Sequence, residues 1–367
     1  MELVVASRHH LCDFFSALDV SGREHLVVIV KATWTLPVTR SRPRPIAPQP
    51  LAVTDEYYGA PGESAMRYGA DYVRFKPRCD VLFDACAHAP AGRPVRYLDV
   101  LARIGNWQKA IQVAGPRQWQ QGLLGLAPGR PEPFTRMPLH YGHAFGGARE
   151  YVQGGQKLSE ALLSNPVGKG WGGRHTSHTL AAQPMPNLEY PKDPVRSPDG
   201  RHLPAALSAV GRHWLPRSQY AGTCDETWRR EVAPFLPEDF DERFFLCAPP
   251  DQQIDTPQGG EEVSLGNLLA DAPVLNFRLP PLSGMQVRIL RKDYSAETLA
   301  APVDTLFFET EQKRFSAIWR ASTPIRRRIQ EFDTIAVGAV DPRWWQARSL
   351  GVASGGCVGC SSREVAT

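Results

Sequence analysis

Leu26-Val27-Val28-Ile29-Val30-Lys31-Ala32-Thr33-Trp34-Thr35-Leu36 is the stretch that decides the fold. Val28, Val30, Ala32, Trp34 and Leu36 recur at period two with Lys31, Thr33 and Thr35 between them, which is the pattern of a half-buried β-strand. The same alternation returns at Leu98, Val100, Ala102 and Ile104, then meets Gly105-Asn106 and resumes at Trp107, Lys109, Ile111 and Val113. Two alternating runs around a two-residue Gly-Asn turn predict a β-hairpin. Cys79–Ala87, with Val81 and Phe83, predicts a further strand; Leu306–Phe308 and Phe315–Trp319 around the polar Glu309–Arg314 predict a second hairpin, and Thr334–Val340 another strand.

Composition agrees with a strand-built chain. The 367 residues include 31 Gly and 33 Pro, about one residue in six, where average usage is roughly 12%. Glycine weakens regular elements and proline removes a backbone donor, so coiled coils and helical solenoids are excluded. A hydrophobic fraction of 42%, with 9 Trp, 10 Tyr and 15 Phe, excludes global disorder. The expectation is a mainly β protein (α+β by content): a β-sandwich or distorted β-barrel scaffold bearing long Gly/Pro-rich loops and a few short helices. Its parts are a β-rich 1–125, a loop-rich 126–260 packed on the scaffold, a β-rich 261–350 completing the fold, and a flexible tail at 351–367. Within the loop-rich part, Leu158–Ser164 and Asp225–Val232 are the expected short helices, the second with an acidic first turn.

Charge and cysteine usage bound the class. A net charge of +4, from 42 basic and 38 acidic residues, lacks the concentrated basic stripe of a nucleic-acid binder. Arg326-Arg327-Arg328 is the single tight basic run and reads as solvated surface. Seven scattered cysteines do not make a disulfide framework. No apolar run near Met1 follows a basic start or is long enough to span a bilayer, so a cytoplasmic protein without a membrane partner is expected.

Motifs for chemistry are weak. Gly168-Lys169-Gly170 fails as a phosphate loop, because Leu163 stands where the first glycine is needed and Gly170 where Ser or Thr is needed. It reads instead as a tight turn leading to Trp171. His140-x-x-His143 and His175-x-x-His178 are the close histidine pairs, and Cys357-Val358-Gly359-Cys360 is a C-x-x-C. These six are the candidate metal ligands, all in glycine-flanked sequence; no HExxH or Gly-x-Ser-x-Gly pattern occurs. No cofactor site is expected.

Several separated segments carry a family resemblance. They include Met137-Pro138-Leu139-His140-Tyr141 with Ala144-Phe145-Gly146-Gly147, Asn165-Pro166-Val167-Gly168-Lys169-Gly170-Trp171, and Met185-Pro186-Asn187-Leu188-Glu189. Trp214-Leu215-Pro216-Arg217, Tyr220–Trp228, Leu236–Asp241, Arg243-Phe244-Phe245 and Ala248–Gln253 follow in order, with Val30–Trp34 before them. Over roughly residues 20–345 the chain resembles an uncharacterised-domain family encoded beside VgrG spike and PAAR-tip genes of bacterial type VI secretion systems. That resemblance implies a non-catalytic, cytoplasmic adaptor or chaperone that binds a toxic effector and helps load it onto the VgrG–PAAR spike. Asn165, Pro166, Gly168, Gly170, Trp171, Tyr220, Asp225, Trp228, Asp251 and Gln252 are the residues expected to bind that partner or to fix the loops that do. Competing readings are a hydrolase or metal-dependent enzyme using a histidine pair, and a structural accessory of the spike.

Overall fold

The computed structural model describes residues 1–37, 42–122, 125–173, 180–352 and, as backbone, 361–364. A seven-stranded central sheet organises them. In spatial order it runs Gln253–Ile254, Cys79–Asp84, Val303–Glu309, Arg314–Pro324, Glu24–Thr35 and His10–Leu18, with Pro45–Ile46 also on Glu24–Thr35. Cys79–Asp84 lies parallel to Val303–Glu309 and the other pairings are antiparallel. The expected hairpin closes as Glu309 opposite Arg314.

Register explains why this sheet holds. Trp34 faces Phe315, Phe315 faces Phe308, and Phe308 faces Phe83, so four neighbouring strands place four aromatic rings in one row. The rings stack with centroids 5.4, 5.3 and 4.9 Å apart. Such pairs contribute about 0.5–1.5 kcal/mol each beyond their burial. This apolar face shares one core cluster with two five-stranded sheets. One is Ala296–Ala300, Gln286–Arg291, Phe332–Val337, Glu2–Val5 and Ser361–Glu364; the other is Leu188–Glu189, Trp107–Ala114, Tyr97–Ile104, Glu262–Gly266 and Val274–Arg278. The fold is therefore mainly β and layered, and among the described residues no sheet closes into a barrel.

Three expectations need correction or qualification. Glu24–Thr35 is not half-buried: Lys31 and Thr33 are 4% and 0% exposed. Loops cover the polar face, with Lys31 Nζ donating to Asp71 Oδ2 (3.0 Å) and Pro50 O (2.9 Å). Leu158–Ser164 is not a helix either; Gln156–Ala161 is a strand paired with Ala148–Gln153. The connecting Gly154-Gly155 takes φ of +58° and +80°, the conformation of a two-residue hairpin turn, and that dipeptide overrides the local helical spacing. From the expected tail, Ser361–Glu364 pairs antiparallel with Glu2–Val5, so four of its residues are tied to a sheet.

The Gly105-Asn106 hairpin forms as expected, Ile104 opposite Trp107, with Leu98, Val100, Ala102 and Ile104 buried. Asp225 caps the short helix Glu226–Glu231, its side chain accepting from the Trp228 amide. No helix among the described residues is long and apolar enough to cross a membrane.

Candidate functional site

The loop-rich region is held to the sheets by buried polar side chains, and two of the ten residues singled out from sequence, Asn165 and Gln252, are among these clamps. Asn165 is fully buried; its Nδ2 donates to Tyr141 O (2.9 Å) and Phe145 O (3.0 Å). Its backbone carbonyl also accepts from the Gly147 amide at 2.9 Å. Asn165 Oδ1 has no partner among the described residues. Gly146 and Gly168 close around this side chain so tightly that a Cβ on Gly168 would fall 2.4 Å from Asn165 Nδ2. Gly170, at φ +84°, lets the chain pass beneath Pro186 and offers its carbonyl to Trp119 Nε1 at 3.0 Å. Pro166 and Trp171 are partly buried; Trp171 packs on the satellite core of Trp119, Phe145, Leu180, Met185 and Val195.

His140 and His143 adjoin this loop. The His140 ring stacks on Tyr58 at 4.2 Å, and its Nδ1 accepts from the Gly142 amide. His143 Nδ1 lies 3.0 Å from Asn187 Oδ1 and 3.2 Å from Lys169 Nζ, and Lys169 also donates to Asn187 Oδ1. Burial, with the neighbouring His143 and Lys169 charges, pushes His140 down to about 4. Burial likewise lowers Lys169, and it lowers His143 against an opposing hydrogen bond from Asn187. The pair therefore meets an ammonium group, and among the described residues no carboxylate hydrogen-bonds either ring. That is a poor donor set for a metal cation, and among the described residues no group of three His, Cys, Asp or Glu side chains is placed to hold one. His175, His178, Cys357 and Cys360 lie outside the described residues.

Asp251 and Gln252 form a second clamp. Gln252, fully buried, donates to Val81 O (2.7 Å) and Leu207 O (3.1 Å) and accepts from Lys109 Nζ (2.7 Å). Asp251 receives Lys109 Nζ, the Tyr190 hydroxyl and, on its carbonyl, Trp107 Nε1. One short turn thereby ties the central sheet to the Gly105-Asn106 hairpin. Arg217 is a third: buried, it donates to Val210 O and Phe244 O.

Tyr220, Asp225 and Trp228 lie in a lobe spanning 220–245, which the Arg217 clamp holds through Phe244 O. Arg243 stacks on Tyr220 at 4.2 Å, Trp228 Nε1 donates to Phe235 O, and Thr223 binds Asp239 through both its amide and its hydroxyl. Sequence reasoning missed Lys109, Lys169, Asn187 and Tyr190. A readable signal existed for one of them: Lys109 interrupts the buried face of a hairpin strand, and a lysine there requires a carboxylate.

Residues 21–320 match the model of a family described as "Uncharacterized protein conserved in bacteria (DUF2169)". This is most of the chain, so the protein belongs to that family. No curated protein and no solved structure matches it significantly.

Proposed function

From its membership of this bacterial family and from the clamped loops, we propose that the protein is a non-catalytic adaptor or chaperone of type VI secretion. In this reading it binds a toxic effector in the cytoplasm and helps load it onto the VgrG–PAAR spike. The type VI assignment rests on the segments quoted above. The observation that carries the adaptor reading is where those segments lie: Asn165, Asn187, Arg217 and Gln252 each come from a different one, and each is buried and hydrogen-bonded to a carbonyl at least twenty residues away. Loops fixed this way present a preorganised surface without loss of loop entropy on binding, which suits partner binding.

Affinity-tagged protein expressed with its genomic neighbours tests the reading. A stoichiometric complex with a toxin-like or spike-like neighbour product is expected; wild-type protein that purifies with neither overturns it.

A further inference from the structure

We propose that the free edge of the Val274–Arg278 strand takes up an extended, carboxylate-bearing segment of a partner protein as an added β-strand. The proposal rests on the adaptor reading only for the source of that segment.

Val274–Arg278 ends its sheet, with Glu262–Gly266 on its inner side. Hydrogen bonds fix which backbone groups are spent. Pro273 O accepts from the Asn267 amide and the Leu279 amide donates to Glu261 O, so the odd-numbered residues face inward. By the period of two, the N–H and C=O groups of Val274, Asn276 and Arg278 face outward, and none has a partner among the described residues. A row of unspent donors and acceptors on a strand edge is a template for strand addition.

A cavity of about 1080 Å³ lies over the exposed face of the last three strands, from Arg103 across Ser264 to Asn276 and Arg278 on the edge strand, and its charge favours one occupant for a strand added there. Arg42, Arg103 and Arg278 line it, with Glu262 the sole acidic side chain among its described lining residues. Arg278 is shared with Glu262 at 2.8 Å, whereas Arg103 donates to Gly105 O and Arg42 meets no carboxylate among the described residues. Guanidinium groups in excess favour carboxylates, with bidentate geometry adding specificity. The rim is already built: Gln258 O accepts from the Leu282 and Ser283 amides, Glu261 accepts from the Gln258 and Gly259 amides, and Trp319 Nε1 holds Leu282 O at 2.7 Å.

The test uses a short fluorescent peptide alternating glutamate with valine and threonine, and its lysine-for-glutamate counterpart, read by anisotropy. Asn276→Pro removes an outward N–H that the sheet does not use, a change edge strands tolerate; Asn276→Ala keeps that N–H. The glutamate peptide is expected to bind the wild type and N276A, and to bind N276P and the double variant R103E/R278E about tenfold more weakly, the worth of one to two hydrogen bonds. Should N276P fail to fold, R103E/R278E carries the test. Equal binding to N276A and N276P when both fold, equal binding of both peptides, or no binding of the glutamate peptide to wild type overturns the proposal. Self-association that R103E/R278E leaves intact and N276P abolishes also overturns it, in favour of a second copy of the chain. The same variants are then tried against a co-purifying neighbour product. A partner kept by wild type and lost by N276P supports the proposal; a partner kept by both overturns it and leaves the adaptor reading standing. Peptide binding at this edge by a protein that captures no partner supports the edge and removes the adaptor reading.

Discussion

Two irregular regions of this molecule are held by the same kinds of polar contact in opposite surroundings. Over the charged face of the central sheet, Asp71 is 3% exposed and accepts from Lys31 Nζ (3.0 Å), the Tyr68 hydroxyl (2.6 Å) and the Ala52 amide (2.8 Å). Beside it Arg320 holds Asp304, Asp71 O and Val73 O, and Asp80 accepts from Lys76 and the Cys247 and Ala248 amides. In the 220–245 lobe, Asp241 and Arg243 pair with side chains 36% and 54% exposed, and the Asp225 cap is exposed as well. Water competes for these groups of the lobe and for almost none of those over the sheet. A hydrogen bond or ion pair strengthens as local dielectric falls, and so does the penalty for breaking one side of it. The two regions should therefore answer the same mutation very differently.

Asp71→Ala is the most damaging test of that claim. It strands a buried Lys31 ammonium and removes acceptors from Tyr68 and Ala52, so a loss of about 4 kcal/mol is expected in urea unfolding. The double variant K31M/D71A should recover part of this, because no uncompensated charge remains. A loss below about 1 kcal/mol for Asp71→Ala, the size expected of an exposed pair, would erase the distinction between the regions.

The two faces of the central sheet were also unequally legible in the amino-acid sequence. Trp34, Phe83, Phe308 and Phe315 sit on alternating runs, and period-two patterning reads such a face strand by strand. The charged face gives no comparable signal, since its contacts join residues far apart: Lys31 with Asp71, Arg320 with Asp71 O, Arg67 with Glu309. Alternation shows that Lys31 leaves the apolar face but not that a loop returns to bury it. The Asn165 and Gln252 loops were found by resemblance, and their clamping role appeared only with their buried partners. Gly154-Gly155 was readable and shows turn chemistry outranking helical spacing.

Asn165→Ala lies next in size. It frees the buried carbonyl of Phe145 and one lone pair of Tyr141, for an expected loss of about 2 kcal/mol. Differential scanning calorimetry checks it; a melting temperature unchanged from wild type would show that the two glycines, not the amide, hold this loop.

His140 sharpens the comparison through pH, being only part-buried. Its folded pKa of about 4 lies below the ordinary 6.5 because burial, His143 and Lys169 disfavour the imidazolium. The unfolded chain thus takes up this proton first, and the contribution present above about 6.5 is lost as pH falls toward 4, by up to about 1.4 kcal/mol per pH unit. His140→Gln should flatten that part of the stability-versus-pH curve; an unchanged slope would assign it to other groups.

Asp225→Ala is the smallest effect and completes the series. The cap satisfies the Trp228 amide at the start of a helix of only six residues, which cannot persist without tertiary support. Its loss is expected to cost about 1 kcal/mol, and water can replace the missing acceptor because the site is exposed. The cost should stay local. Hydrogen exchange of the Glu226–Glu231 amides should quicken while the exchange of Glu24–Thr35 and the urea midpoint hold, since the hydrogen bond removed lies wholly inside the lobe. If Asp225→Ala instead lowers the global midpoint as far as Asp71→Ala does, the lobe unfolds together with the sheet, and burial is not what separates the two regions.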